Sequence, residues 1–234
     1  MASGRRDALQ ALRVAADDLP VRCPWIVAIP LVFGSARSAI QDAPASVPEV
    51  DLAELCRQPA EQLGRSARIV FQVHELPATW TAYETRFDAG SYVAVSAWGD
   101  YQVLWQKREW ENPLALLFAR RESAPARQLA AARPYDRFAA VVSVREVFLG
   151  RPWLEIERLQ PLTDHVTEGC VLHAARAITL MAAGEWRLAR EDLARARAGD
   201  LPEHVARALE ELAAACEAEI LVRRKAAPRV VPPR

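Results

Sequence analysis

The residues best suited to touch a ligand are four aromatics in one short stretch, "WGDYQVLWQKREW": Trp98, Tyr101, Trp105 and Trp110, with Lys107 and Arg108 between the last two. Flat rings interleaved with cations can stack on single-stranded bases or on sugar rings while the cations meet phosphate. The same side chains also serve as bulky packing or as a protein contact, because large aromatics supply much of any core's burial. Asp100, Glu109 and Glu111 sit among them and dilute the positive charge that a phosphate backbone requires. The balance favours packing or a protein contact. Binding of single-stranded nucleic acid or oligosaccharide is the alternative.

Other chemistry is sparse. The histidines are His74, His165, His173 and His204. Cys170 and His173 fall at i, i+3 on a helical stretch, as do Asp200 and Glu203, but no third ligand or HExxH pattern joins them, so no metal site is expected. Cys23, Cys56, Cys170 and Cys216 form no CxxC pair. Cys170 and Cys216 read as small buried apolar residues. No GxSxG, Walker-type or GxGxxG motif occurs. Glu155 and Glu157 stand two apart on a strand and so point to one side. Beside Arg145 and Arg158 they read as a solvated cross-strand charge array rather than an acid–base pair. The expectation is no catalytic residue and no cofactor, in a non-enzymatic binding or scaffold module whose partner is a protein.

The elements that must position these residues follow from pattern. At 234 residues and 51% hydrophobic, the chain has ample mass for a buried core. Formal net charge is zero, so no global field draws it to nucleic acid or to an acidic membrane. Residues 1–45 carry an apolar run from Pro24 to Phe33, preceded by Arg13 and Arg22 and followed by Gly34, Ser35, Ala36 and Ser38. That order favours a leader and a secreted or periplasmic address. Pro24, Pro30 and the acids Asp7, Asp17 and Asp18 argue for the alternative, a cytoplasmic protein with a frayed N-terminus. The run is too short to span a bilayer. Residues 46–65 read as a linker and a short helix.

From Ser66 the texture turns to strands. "ARIVFQVHEL", "SYVAVSAW", "LALLFARR", "AAVVSVREVFL" and "WLEIERL" carry β-type alternation or β-branched runs bounded by turn residues. Between the third and fourth, Ser123 can cap a helix, Pro125 fits its first turn and Pro134 stops it. Gly150-Arg151-Pro152 joins the last two strands as a hairpin with Leu154 and Ile156 facing in. "WTAYETRFD" places Trp80, Tyr83 and Phe87 at helical spacing, as a helical turn plugging a barrel's mouth or an extension of the first strand. The order of three strands, a helix and a closing hairpin over residues 66–163 resembles the OB-fold, a small five-stranded Greek-key barrel. That resemblance implies ligands on the face of the second and third strands and the loops around them.

Residues 164–221 hold eleven acids against six arginines and are rich in Ala, Leu, Arg and Glu, all strong helix formers. Gly184 and Gly199-Asp200 divide them into a helical hairpin plus one helix. Within them Gly184, Trp186, Ala189, Leu193, Ala196 and Pro202 resemble a tetratricopeptide repeat. Ala174, Ala177 and Ala189 would let backbones approach, with Ile178, Leu188 and Leu193 filling the seam. One repeat cannot build a concave groove, so the segment implies a cap, a dimer face or a partner surface. Residues 222–234 read as a disordered basic tail. The expected class is α+β, an OB-like barrel followed by a short tetratricopeptide-like helical segment, with the oligomeric state left open.

Overall fold

The computed structural model describes residues 47–80, 85 and 87–226. The leader expected over residues 1–45 lies outside the described residues, as do Tyr83 and residues 227–234. Every described element lies within the unit Asp42–Arg234.

The structure is mixed α/β, a closed five-stranded barrel followed by helices. The strands are β1 (Ser66–Glu75), β2 (Tyr92–Gly99), β3 (Ala115–Arg120), β4 (Arg137–Phe148) and β5 (Arg151–Pro161). They close in the order β1-β2-β3-β5-β4. All pairs are antiparallel except β3 with β5, which run parallel and pair at Leu117↔Leu154 and Phe118↔Glu155. Strand alternation fills the interior. Ile69, Phe71 and Val73 of β1 meet Val95, Leu117, Val142, Leu154 and Ile156, all buried. Leu154 and Ile156 therefore face in, as the alternation of the last strand requires.

Two of three short helices complete that core. Helix α1 (Leu52–Arg57) starts where the Asp51 carboxylate accepts the Ala53 N–H, and contributes Leu52 and Leu55. Helix α2 (Lys107–Trp110) is one turn within the β2–β3 connection. Helix α3 (Ala124–Leu129) lies between β3 and β4. The Ser123 hydroxyl accepts the Ala126 N–H at 3.3 Å, and Pro125 sits in the first turn, where its missing N–H costs no bond.

The register of the closing hairpin corrects one expectation. The β4–β5 pairing shifts between Val141 and Val142, so that Arg158 and Ile156 are consecutive partners and Glu157 is the extra residue of a bulge. Glu155 is buried and Glu157 exposed, so the two are not a matched, solvated pair.

Helices α4 (Glu168–Ala182), α5 (Trp186–Ala196) and α6 (Glu203–Ala226) follow. The α4–α5 turn places Gly184 at φ 77°, a left-handed conformation that a side chain resists. Ala174, Ala177, Ala189 and Ala196 are fully buried where the helices meet, and Leu193 fills the seam. Ile178 and Leu188, expected beside it, lie at the edge of the buried stripes of their helices and are exposed instead. Asp192 is buried on α5 and accepts from Arg176 Nε (3.1 Å) and Arg195 (3.3 Å), with His173 Nδ1 at 3.0 Å, which ties the hairpin together. His173 is thus engaged with a carboxylate. A second correction concerns the tail. Helix α6 runs to Ala226, so residues 222–226 are helical rather than disordered. Arg223 donates to the Gly184 carbonyl at 3.1 Å and lies over the Trp186 ring, and cations at a helix C-terminus offset its dipole. Among the described residues no helix is long and apolar enough to cross a membrane.

Candidate functional site

The outer face of β2 carries Tyr92, Ala94, Ser96 and Trp98, and two separate aromatic clusters cover its two ends. The first cluster contains the Trp-rich loop. Trp98 is 1% exposed, and its Nε1–H donates to the Trp110 carbonyl at 3.0 Å. Trp110 Nε1–H donates in turn to the Tyr135 hydroxyl at 3.0 Å. Trp98, Leu104, Trp105 and Trp110 pack with Val166, Cys170 and Val171 at the start of the helical segment. Tyr101 is half exposed and lies 4.7 Å from the His204 ring, whose Nε2–H donates to the Asp100 carbonyl at 2.8 Å. Lys107 is half-buried and Arg108 exposed on α2. The structure therefore gathers these residues, and it gathers the aromatics as the seat on which α4–α6 rest.

Charge reinforces that seat. Arg137, 11% exposed, grips Asp100 through Nε and a terminal nitrogen (2.7 and 2.8 Å) and Asp164 at 2.6 Å, linking the loop, β4 and the entry to α4. His74 lies 3.2 Å from the Ser96 hydroxyl and 4.7 Å from the Trp98 ring, and its burial pulls its pKa below the usual histidine value, against a weaker opposing pull from Glu75.

The second cluster lines an open cleft of about 310 Å³ bounded by Phe87, Tyr92, Arg120, Arg145, Glu146, Trp153 and Glu155. Phe87 stacks on Phe118 at 4.5 Å and meets Tyr92 edge-on at 4.6 Å. Trp80 donates its Nε1–H to the Phe87 carbonyl and meets Phe118 at 5.6 Å. The described part of the stretch expected to plug the barrel's mouth thus packs on its outside. Above this aromatic floor sits a charged clamp. Arg120 Nε donates to one oxygen of Glu155 and Arg145 Nε to the other, each at 2.7 Å. Burial works to raise the Glu155 pKa, but the hydrogen bonds and charges of the two arginines outweigh it and leave the pKa below the ordinary carboxylate value. Arg120 also lies 6.0 Å from the centre of the Tyr92 ring.

Sequence reasoning missed this cleft because its lining comes from five separated segments. The available signal was parity: with Leu154 and Ile156 inside the barrel, Trp153 and Glu155 must face out. Chemically the clamp suits recognition of an anion. Glu155, held ionised, has no proton to donate. Burial pushes the Cys56 and Cys170 thiols up to about 11, so both stay protonated, with Asp51 adding to the effect at Cys56. Among the described residues no group of three His, Cys, Asp or Glu side chains could hold a metal ion. No family model matches the chain, and no curated protein is similar enough to count as a match.

Proposed function

We propose that the protein is a non-enzymatic binding module that grips a partner protein on the outer face of β2, β3 and β5. An OB-like barrel supplies the face, and a tetratricopeptide-like hairpin buttresses the opposite end. The OB-like reading draws support from the closed strand order, the parallel β3–β5 closure and the helix between β3 and β4. The repeat-like reading draws support from the left-handed Gly184, Trp186 beside it and the buried alanines of the helix crossing. Export belongs to the same reading and rests on the charge, apolar run and small residues of the N-terminus.

The observation that carries the proposal is the contrast in cover. The Trp-rich loop is spent on the chain's own helices, whereas the cleft joins an aromatic floor and two half-exposed arginines to the exposed Phe148 and Leu149 of the hairpin tip. Selection from a random displayed-peptide library against the full chain tests it. A consensus that binds saturably in solution supports the module, and a library that yields none sinks it. The rival is an OB-type binder of single-stranded nucleic acid or oligosaccharide, favoured by Tyr92 and Trp153 beside Arg120 and Arg145. It predicts saturable tryptophan quenching by mixed-sequence oligonucleotide or glycan, salt-dependent for the former.

A further inference from the structure

The tip of the β4–β5 hairpin exposes two apolar side chains and holds one of them in a strained backbone conformation. Leu149 has φ 49°, in the left-handed region where a branched apolar residue is strained, and it is 86% exposed. A two-residue turn of this hand is normally made with Asn or Gly at this position, as Gly150 does at the next. Phe148 is also exposed, with its ring 5.6 Å from Trp153. The exposed apolar surface is therefore that of Leu149 and Phe148, and the Phe148 ring leads inward to Trp153 and Phe87, which are buried under the cleft.

The clamp lies beside that strip, with Arg145 three strand residues, roughly 10 Å, from Phe148. Arg120 and Arg145 meet Glu155 through Nε, and their side chains stay 65% and 51% exposed while Glu155 is 7% exposed, so guanidinium surface remains open to a ligand. Glu146 also lines the cleft, so its two arginines are balanced in formal charge, but with Glu155 buried and Glu146 half-buried the charge facing solvent is mainly that of the two guanidinium groups. An outer carboxylate would complete the arrangement with charge-assisted hydrogen bonds.

We propose that the cleft and the hairpin tip form one docking site for an extended segment of a partner protein bearing a carboxylate close to a large apolar side chain. The carboxylate meets Arg120 and Arg145, and the apolar side chain covers Phe148 and Leu149. This rests on the binding-module reading and names its partner's chemistry. Glu155 and Glu146 in the same cleft disfavour a phosphate-dense strand or an anionic lipid surface.

The test uses the full chain and three short synthetic peptide libraries. One mixes aspartate and glutamate with leucine, phenylalanine and tryptophan; the second replaces the acids with their amides; the third replaces them with lysine and arginine. Affinities are measured for the natural protein and for Leu149→Asn, Arg120→Gln and Arg145→Gln. The acidic set alone binds saturably, and each substitution weakens it by about tenfold or more, as for a central interface residue. Leu149→Asn keeps or raises the melting temperature, so its loss of binding is not a folding defect. Equal binding by the amide or basic set, an unchanged affinity in Leu149→Asn, self-association through the tip, or no binding by any set overturns the proposal. Peptide binding that is lost in Leu188→Ala and kept in the cleft variants removes this site and moves the module's partner surface from the β2, β3 and β5 face to the helical hairpin. Binding by oligonucleotide or glycan alone removes both.

Discussion

The two ends of the β2 outer face begin from the same sequence logic and end differently. Both place aromatic side chains outward on the strand, Tyr92 at one end and Trp98 at the other. At the Trp98 end the indole N–H groups of Trp98 and Trp110 find acceptors, an arginine bridges two aspartates, and three helices close the surface. At the Tyr92 end the charged clamp stays half in water and the neighbouring tip leaves Phe148 and Leu149 exposed. Rich aromatic content alone does not mark a ligand site; what covers the rings decides between architecture and recognition.

Substitutions at the sealed end test that contrast most severely. Trp98→Ala empties a fully enclosed volume and orphans the Trp110 carbonyl, so it costs about 4 kcal/mol in urea denaturation and speeds amide exchange in α4–α6. Tyr92→Ala at the open end costs about 1 kcal/mol, because water already reaches that side chain. Equal costs would erase the distinction between the two ends. Arg137→Met leaves Asp100 buried without a counter-charge and lowers stability by about 3 kcal/mol in the same measurement.

Acid separates the two ends by pH. The folded-state pKa of His74 is lowered by burial, so the unfolded chain takes up the proton more readily. The stability this site confers is full above 6.5 and drains as pH falls below it. Glu155 is also lowered in the folded state, through Arg120 and Arg145 acting against burial. Its contribution is full above 4.5 and is lost as pH falls through the lowered value. Denaturation midpoints across these windows should show the first loss abolished in His74→Gln and the second in Glu155→Gln. The smallest effect is a gain: Leu149→Asn relieves the left-handed strain and stabilises by about 0.5–1 kcal/mol. A loss instead would mean that Leu149 has an intramolecular role.

Local patterns were legible where a single segment carries the whole signal. The five strands, the Ser123 cap with Pro125 behind it, and the Gly184 turn each depend on a few adjacent residues. What depends on distant partners was not legible. Ile178 and Leu188 have the right type for the helix seam, but they sit at the edge of the stripe, and which edge a neighbouring helix covers is set by packing. The bulge at Glu157 follows from pairing with β4, and no feature of "WLEIERL" announces it. The aromatic loop was conspicuous because its rings are contiguous in sequence, while the cleft was hidden because Phe87, Tyr92, Arg120, Arg145 and Trp153 meet only once the barrel is closed.

That closure also bears on how the chain is made. The barrel shuts only when β5 inserts between β3 and β4, and β5 ends at Pro161. A nascent chain emerging from the ribosome therefore holds β3 and β4 as two open sheet edges until Pro161 is clear, and open edges invite pairing with other chains. Fragments truncated before β5 should aggregate, and the interval between the synthesis of β4 and β5 is when a chaperone would matter most.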